Sequence, residues 1–195
     1  MISSQKSEAI LDAAEELFTH YGFKKTSIDD VGKKARVAKA TIYAFCDSKE
    51  QLFYRVIERE LTRWLAATAT QVDPNAPAPE LLAALAMAGI EYLDSRPLLQ
   101  DLYTGKTVAL IPDWRDHLRS LRERTVAIIS QVVQLGIDQG HFRKDLDPAA
   151  AAGFLDDLQL AQYVFHRPEL KRKQRDRRMA AGLDFVLRGL LKRKK

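Results

Sequence analysis

The run Ser27-Ile28-Asp29-Asp30-Val31-Gly32-Lys33-Lys34-Ala35-Arg36-Val37-Ala38-Lys39-Ala40-Thr41-Ile42-Tyr43-Ala44-Phe45-Cys46 reads as two short helices meeting at a basic junction. Ser27 with Asp30 three residues on fits a capping box, so a helix is expected over 27–35, and a second over 38–46. Ile28 and Val31 on the first, and Ile42 and Cys46 on the second, fall at helical spacing on one side. That leaves Lys39, Ala40, Thr41, Tyr43 and Phe45 facing outward. Two short helices joined this way describe a helix-turn-helix, in which the first crosses the DNA backbone and the second lies in the major groove.

Upstream, Ile10, Ala14, Leu17 and Phe18 form a stripe able to back this pair, and downstream Phe53, Val56, Ile57, Leu61 and Trp64 continue the three-and-four spacing. Prolines divide the remainder. Pro74, Pro77 and Pro79 lie in one segment, while Pro97, Pro112, Pro148 and Pro168 separate helix-sized lengths, because proline lacks an N–H and disfavours helix in the residue before it. Helices are expected at 4–21, 27–35, 38–46, 48–70, 79–94, 97–108, 113–139, 147–165 and 171–191, and no run alternates with a period of two. The expected fold is all-α, with about nine helices. Residues 1–50 are read as the DNA-binding domain, 51–78 as a connecting helix with a Pro-rich linker, and 79–195 as a helical bundle.

The chain has 195 residues, 46% hydrophobic and 29% charged, enough for one ordinary core or two small ones. Its longest apolar run, Leu81–Ile90, is too short to cross a bilayer, and the start lacks the apolar segment of a secretory signal. One cysteine, Cys46, excludes an intramolecular disulfide. These features suggest the cytoplasm and no membrane partner. The net charge of +5 is concentrated at the end, where residues 171–195 hold 11 Lys/Arg against 2 Asp/Glu; residues 1–50 hold 8 of each.

The first sixty residues resemble the TetR family of transcriptional regulators. The matches run from Ile10-Leu11-Asp12-Ala13-Ala14-Glu15-Glu16-Leu17-Phe18 through Tyr21-Gly22-Phe23, Thr26-Ser27-Ile28 and Thr41-Ile42-Tyr43 to Ser48-Lys49-Glu50-Gln51-Leu52. The resemblance implies that Thr26 and Ser27 bind a phosphate at the N-terminus of the second helix, that Tyr43 and Lys49 contact the DNA backbone, and that Lys39, Ala40 and Thr41 meet base edges. Arg36 stands where the family usually carries glycine, Ala38 where it carries a small capping residue, and Cys46 where it carries phenylalanine. Arg36, counted with the DNA-binding residues, is therefore expected at positive φ, and Phe45, beside the missing aromatic, either faces DNA at the groove edge or fills that core space.

The same resemblance makes the C-terminal part a ligand-binding and dimerisation domain, pairing helices near 147–165 and 171–191 with those of a second copy. Small residues there, among them Ala150, Ala151, Ala152, Gly153, Ala180, Ala181, Gly182 and Gly189, permit close helix approach. Pocket candidates are Met87, Tyr92, Tyr103, Trp114, His117, Phe154, Gln159 and Tyr163, since small-molecule sites combine apolar walls with a few polar tips. No metal or other cofactor is expected. A helical metalloenzyme would need Glu-x-x-His pairs, which are absent, and His20, His117, His141 and His166 lack ligand spacing. The expected function is a ligand-responsive regulator, a repressor that binds a palindromic operator as a dimer. The alternative is a helical ligand-binding or protein-interaction module without specific DNA binding, which would lack salt-dependent affinity for a palindromic duplex.

Overall fold

The computed structural model describes residues 3–71, 73–103, 114–164 and 172–191. Nine helices occur among them: α1 (Ser4–Lys25), α2 (Ile28–Ala35), α3 (Lys39–Tyr43), α4 (Lys49–Gln71), α5 (Ala78–Asp94), α6 (Pro97–Tyr103), α7 (Trp114–Asp138), α8 (Pro148–Val164) and α9 (Arg172–Leu190). The fold is all-α; the described residues form no strand, only one antiparallel bridge between Phe142 and Leu191.

The chain divides into two compact units. One comprises residues 1–66 and 93–119, the other residues 67–92 and 120–195. Residues near Pro97 join the first unit because α6 packs on α1, and Arg96 lies 3.5 Å from Glu60 on α4 and 3.8 Å from Glu15 on α1.

The core of the first unit follows the apolar stripes. Ile10, Ala14, Phe18, Val31, Ile42, Leu52, Phe53 and Val56 are all fully buried, with Ile28 and Cys46 close behind and Leu17 half-buried. Phe18 meets the Phe53 ring edge-on at 5.1 Å, and Phe23 meets it at 5.3 Å. Each buried ring contributes about 2–3 kcal/mol by area alone, so this cluster, rather than helix propensity, holds α1 against α4. Opposed charge stripes reinforce it: Arg59 of α4 lies among Glu8, Asp12 and Glu15 of α1, at 3.1, 2.8 and 2.6 Å.

In the second unit Ala78, Leu82, Ile129, Val133, Phe142, Ala152 and Leu190 form the core. Gln139 accepts a hydrogen bond from the backbone N–H of Ala78, satisfying the start of α5, and Asp147 accepts from the N–H groups of Ala149 and Ala150 at the start of α8. Arg122 ties α7 to α8 through Asp156 and Asp157.

Candidate nucleic-acid interface

The interface begins with how α2 starts and ends. The Ser27 hydroxyl donates to the Asp30 carboxylate and accepts the Asp30 N–H, while the Ser27 N–H donates back to that carboxylate, a complete capping box. The Ser27 hydrogen bond holds Asp30 below the usual carboxylate range. At the other end Val37 N–H donates to Gly32 O at 3.0 Å and Arg36 N–H to Lys33 O at 3.3 Å, the paired bonds of a Schellman motif. Such a motif requires a left-handed residue, and Arg36 adopts φ 57°, ψ 40°. Gly32 lets the next helix approach, since a Cβ there would stand 3.1 Å from the carbonyl of Val37 and 3.5 Å from Ile42.

The recognition helix is shorter than the expected 38–46. It spans Lys39–Tyr43, after which Phe45 and Cys46 both donate their N–H groups to Ile42 O at 2.9 Å, tightening the chain into a turn. Ile42 anchors it in the core. Lys39, Ala40 and Tyr43 are exposed, and Thr41 is half-buried. Lys39 pairs with Asp29 of α2 at 2.9 Å, and the hydrogen bond to that carboxylate raises the lysine above its ordinary pKa. Both partners are solvent-exposed, so the pair is weak and a base edge or phosphate can displace Asp29.

Thr26 and Lys49, both expected at phosphates, are engaged within the fold for one physical reason. Gly22, at φ 76° and ψ 165°, breaks the helical ladder near the end of α1 and leaves carbonyls needing donors. The Thr26 hydroxyl turns inward, 2.9 Å from Gly22 O and 3.1 Å from Leu17 O, and the residue is buried. The Lys49 ammonium donates to Phe23 O at 3.0 Å and Thr26 O at 3.1 Å, over the Phe23 ring. Ser27 stays exposed, but its hydroxyl already serves Asp30.

Phe45 is half-buried, with Arg55 of α4 stacked over its ring at 4.5 Å, a partner the sequence reading did not identify. Cys46 takes the inside position, and burial pushes its thiol up to about 11.

The pocket candidates are not brought together by what is described. Met87 and Phe154 are exposed, Tyr92 is half-buried, and the side chains of Tyr103, Trp114, His117, Gln159 and Tyr163 lie outside the described residues. Among the described residues no cluster of His, Cys, Asp or Glu is arranged to hold a metal, and no helix is long and apolar enough to cross a membrane.

Residues 10–56, which span the capped α2, its left-handed turn and the outward-facing α3, match the family described as bacterial regulatory proteins, tetR family. The chain's N-terminal DNA-binding domain is of the TetR family. The chain is 26% identical over 191 residues to the HTH-type transcriptional regulator YhgD of Bacillus subtilis, covering 97% of this chain and 98% of that one. It is 25% identical to the HTH-type transcriptional repressor KstR2 of Mycolicibacterium smegmatis, over 85% of this chain and 81% of that one. Its fold matches the crystal structure of a TetR/AcrR-family transcriptional regulator from Thermobifida fusca with a TM-score of 0.72 at 21% identity, covering 94% of this chain and 97% of that one. With this TetR-family domain the protein is a DNA-binding transcriptional regulator, and the relatives named are regulators rather than enzymes.

Proposed function

We propose that the protein is a ligand-responsive repressor that binds a palindromic operator as a dimer and is released by a small molecule. The observation that carries the DNA half of this reading is α3 itself: Ile42 fixes it to the core while Lys39, Ala40 and Tyr43 project outward. Lys39 and Thr41 supply donors for base edges, Ala40 an apolar contact for a thymine methyl, and Tyr43 a hydroxyl for phosphate.

Dimerisation through α8 and α9 is supported by Phe154 and Phe185, which are 62% and 80% exposed on these two helices. Two-fold symmetry would present two recognition helices, and a palindromic operator mirrors that symmetry. Residues 79–195 would then carry effector binding as well as dimerisation. Thr68, outside that range near the end of α4, offers a further polar group for an effector, since it is 4% exposed and its hydroxyl has no partner among the described residues. An effector that binds better to the conformer with misplaced recognition helices lowers DNA affinity by that difference.

Selecting duplexes from a random pool with the purified protein tests this reading. A palindromic consensus is expected, with binding that weakens as salt rises. Enrichment of no sequence would leave the helical module without specific DNA binding.

A further inference from the structure

Two helices of this chain close on the same hydrogen-bond pattern with different residues at the left-handed position. At the end of α7, His141 N–H donates to Gly136 O at 2.9 Å and Gly140 N–H to Ile137 O at 3.0 Å, with Gly140 at φ 76°. Glycine reaches that conformation without steric penalty. At the end of α2 the same position is held by Arg36, the one non-glycine residue at positive φ among the described residues. An L side chain there strains the backbone, and strain of this kind persists where something else depends on the residue.

Nothing within the fold depends on the Arg36 side chain. It is exposed, and its guanidinium has no ion-pair or hydrogen-bond partner among the described residues. Of the cations nearest the turn, Lys34 pairs with Glu16 at 2.6 Å, Lys39 with Asp29 at 2.9 Å and Lys49 with two carbonyls, while Lys33 is exposed on α2, one turn before Arg36 and farther in sequence from α3. The N-terminus of α2, a natural phosphate site, is already filled by the Asp30 carboxylate and flanked by Asp29. Backbone binding in this motif therefore needs donors other than that N-terminus, beyond the Tyr43 hydroxyl.

We propose that Arg36 anchors a DNA phosphate, presenting its guanidinium from the turn immediately before α3 to a phosphodiester bordering the groove that α3 enters. The guanidinium suits this role because its planar fork of N–H donors matches two phosphate oxygens at once. The proposal deepens the DNA-binding reading and rests on it. Because phosphates carry no sequence information, the contact contributes affinity and salt dependence rather than base preference.

The test uses the full-length protein and two short duplexes, one enriched from a random pool by the wild type and one of random sequence. Affinities are measured by fluorescence anisotropy across a potassium chloride series, and thermal stability is measured without DNA. Arg36→Gly relaxes the turn and removes the charge; Arg36→Lys keeps both strain and charge. Arg36→Gly is expected to raise the melting temperature, to weaken both duplexes by a similar factor, and to reduce the salt slope by about 1 per protomer, while Arg36→Lys keeps the slope. Unchanged affinity and slope in Arg36→Gly would overturn the proposal, as would a loss confined to the selected duplex or a fall in melting temperature. Wild-type protein that binds neither duplex in a salt-dependent way would remove the DNA-binding reading itself, and the proposal with it.

Discussion

Lys49 reaches back across the first unit to cap the broken end of α1, its ammonium 3.0 Å from the carbonyl of Phe23 and 4.4 Å from the centre of that residue's ring. A residue used in this way contributes first to folding. Lys49→Met is expected to lower stability by about 1.5–3 kcal/mol, since it leaves part-buried carbonyls without their charged donor. Urea titration measures the loss. The salt slope of DNA binding should stay within experimental error of the wild type at a temperature where the variant is folded; a slope reduced by about 1 per protomer would restore Lys49 to the phosphate contacts.

The Ser27–Asp30 capping box gives a pH-dependent prediction. Asp30 has a carboxyl pKa lowered in the fold by the Ser27 hydroxyl, so its contribution to stability is present above its unfolded value of 3.8 and is lost as pH falls through the lowered folded value. Ser27→Ala should therefore reduce the melting temperature by about 2–4 °C near neutral pH, with the gap to wild type closing in strong acid. Paired melting curves from neutral to acid pH check it. A gap that stayed constant into acid would mean the hydroxyl acts only through the backbone N–H.

Cys46 titrates the other way. Burial raises its thiol from 9.0 to about 11, so it contributes stability that is fully present below the unfolded value and disappears as pH rises from 9 to about 11. At pH 8 the folded protein holds almost no thiolate, and alkylation by iodoacetamide should be slower than in urea by at least about tenfold. Equal rates would place the thiol at the surface.

Much of the fold was legible because it rests on periodic burial. The stripes of Ile10, Ala14 and Phe18 and of Phe53 and Val56, with capping signals at Ser27 and Asp147, mark helices that the structure reproduces to within about four residues, the expected helix over 104–108 lying outside the described residues. The short α3 escaped because its last expected turn is drawn tight around Ile42 O, which no residue type announces. Outward positions on α3 follow from spacing alone, whereas the fates of Thr26 and Lys49 depend on carbonyls freed by the kink at Gly22, a three-dimensional circumstance. The Arg59 network did have a visible signal. Glu8, Asp12 and Glu15 recur at helical spacing, as do Arg59 and Arg63, and complementary stripes of this kind point to packed helices.

Gly136 and Phe142 provide a test of packing in the second unit. A Cβ on Gly136 would stand 2.2 Å from a ring carbon of Phe142, whose ring is fully buried against Val133 and Leu190. Gly136→Ala must displace that ring, at a cost of about 1–3 kcal/mol for overpacking in a dense core. Gly136→Ala combined with Phe142→Leu should lose less than the two single changes added together, because the smaller side chain makes room for the methyl group. Strict additivity in urea titrations would show that the contact is not the source of the loss.

The exposed Phe185 tests the proposed dimer. Its side chain is 80% exposed on α9, beside Ala181 and Gly182 and one turn before Gly189, so one large apolar group projects among small residues that let a second helix approach, with Arg178 and Arg188 flanking them. A single exposed phenylalanine would need no explanation, but Phe154 on α8 is also 62% exposed, and the two helices are those expected to pair. In a self-complementary interface each substitution acts twice, once from each subunit. Phe185→Glu should therefore shift the protein to monomer at micromolar concentration in sedimentation analysis, with a far-ultraviolet spectrum close to that of wild type because the side chain leaves no core position empty. Affinity for the selected duplex should fall about 10-fold or more, while binding of a half-site should change little, since each monomer retains one intact α3. A Phe185→Glu protein that remains dimeric with full operator affinity would move the interface off this face of α9.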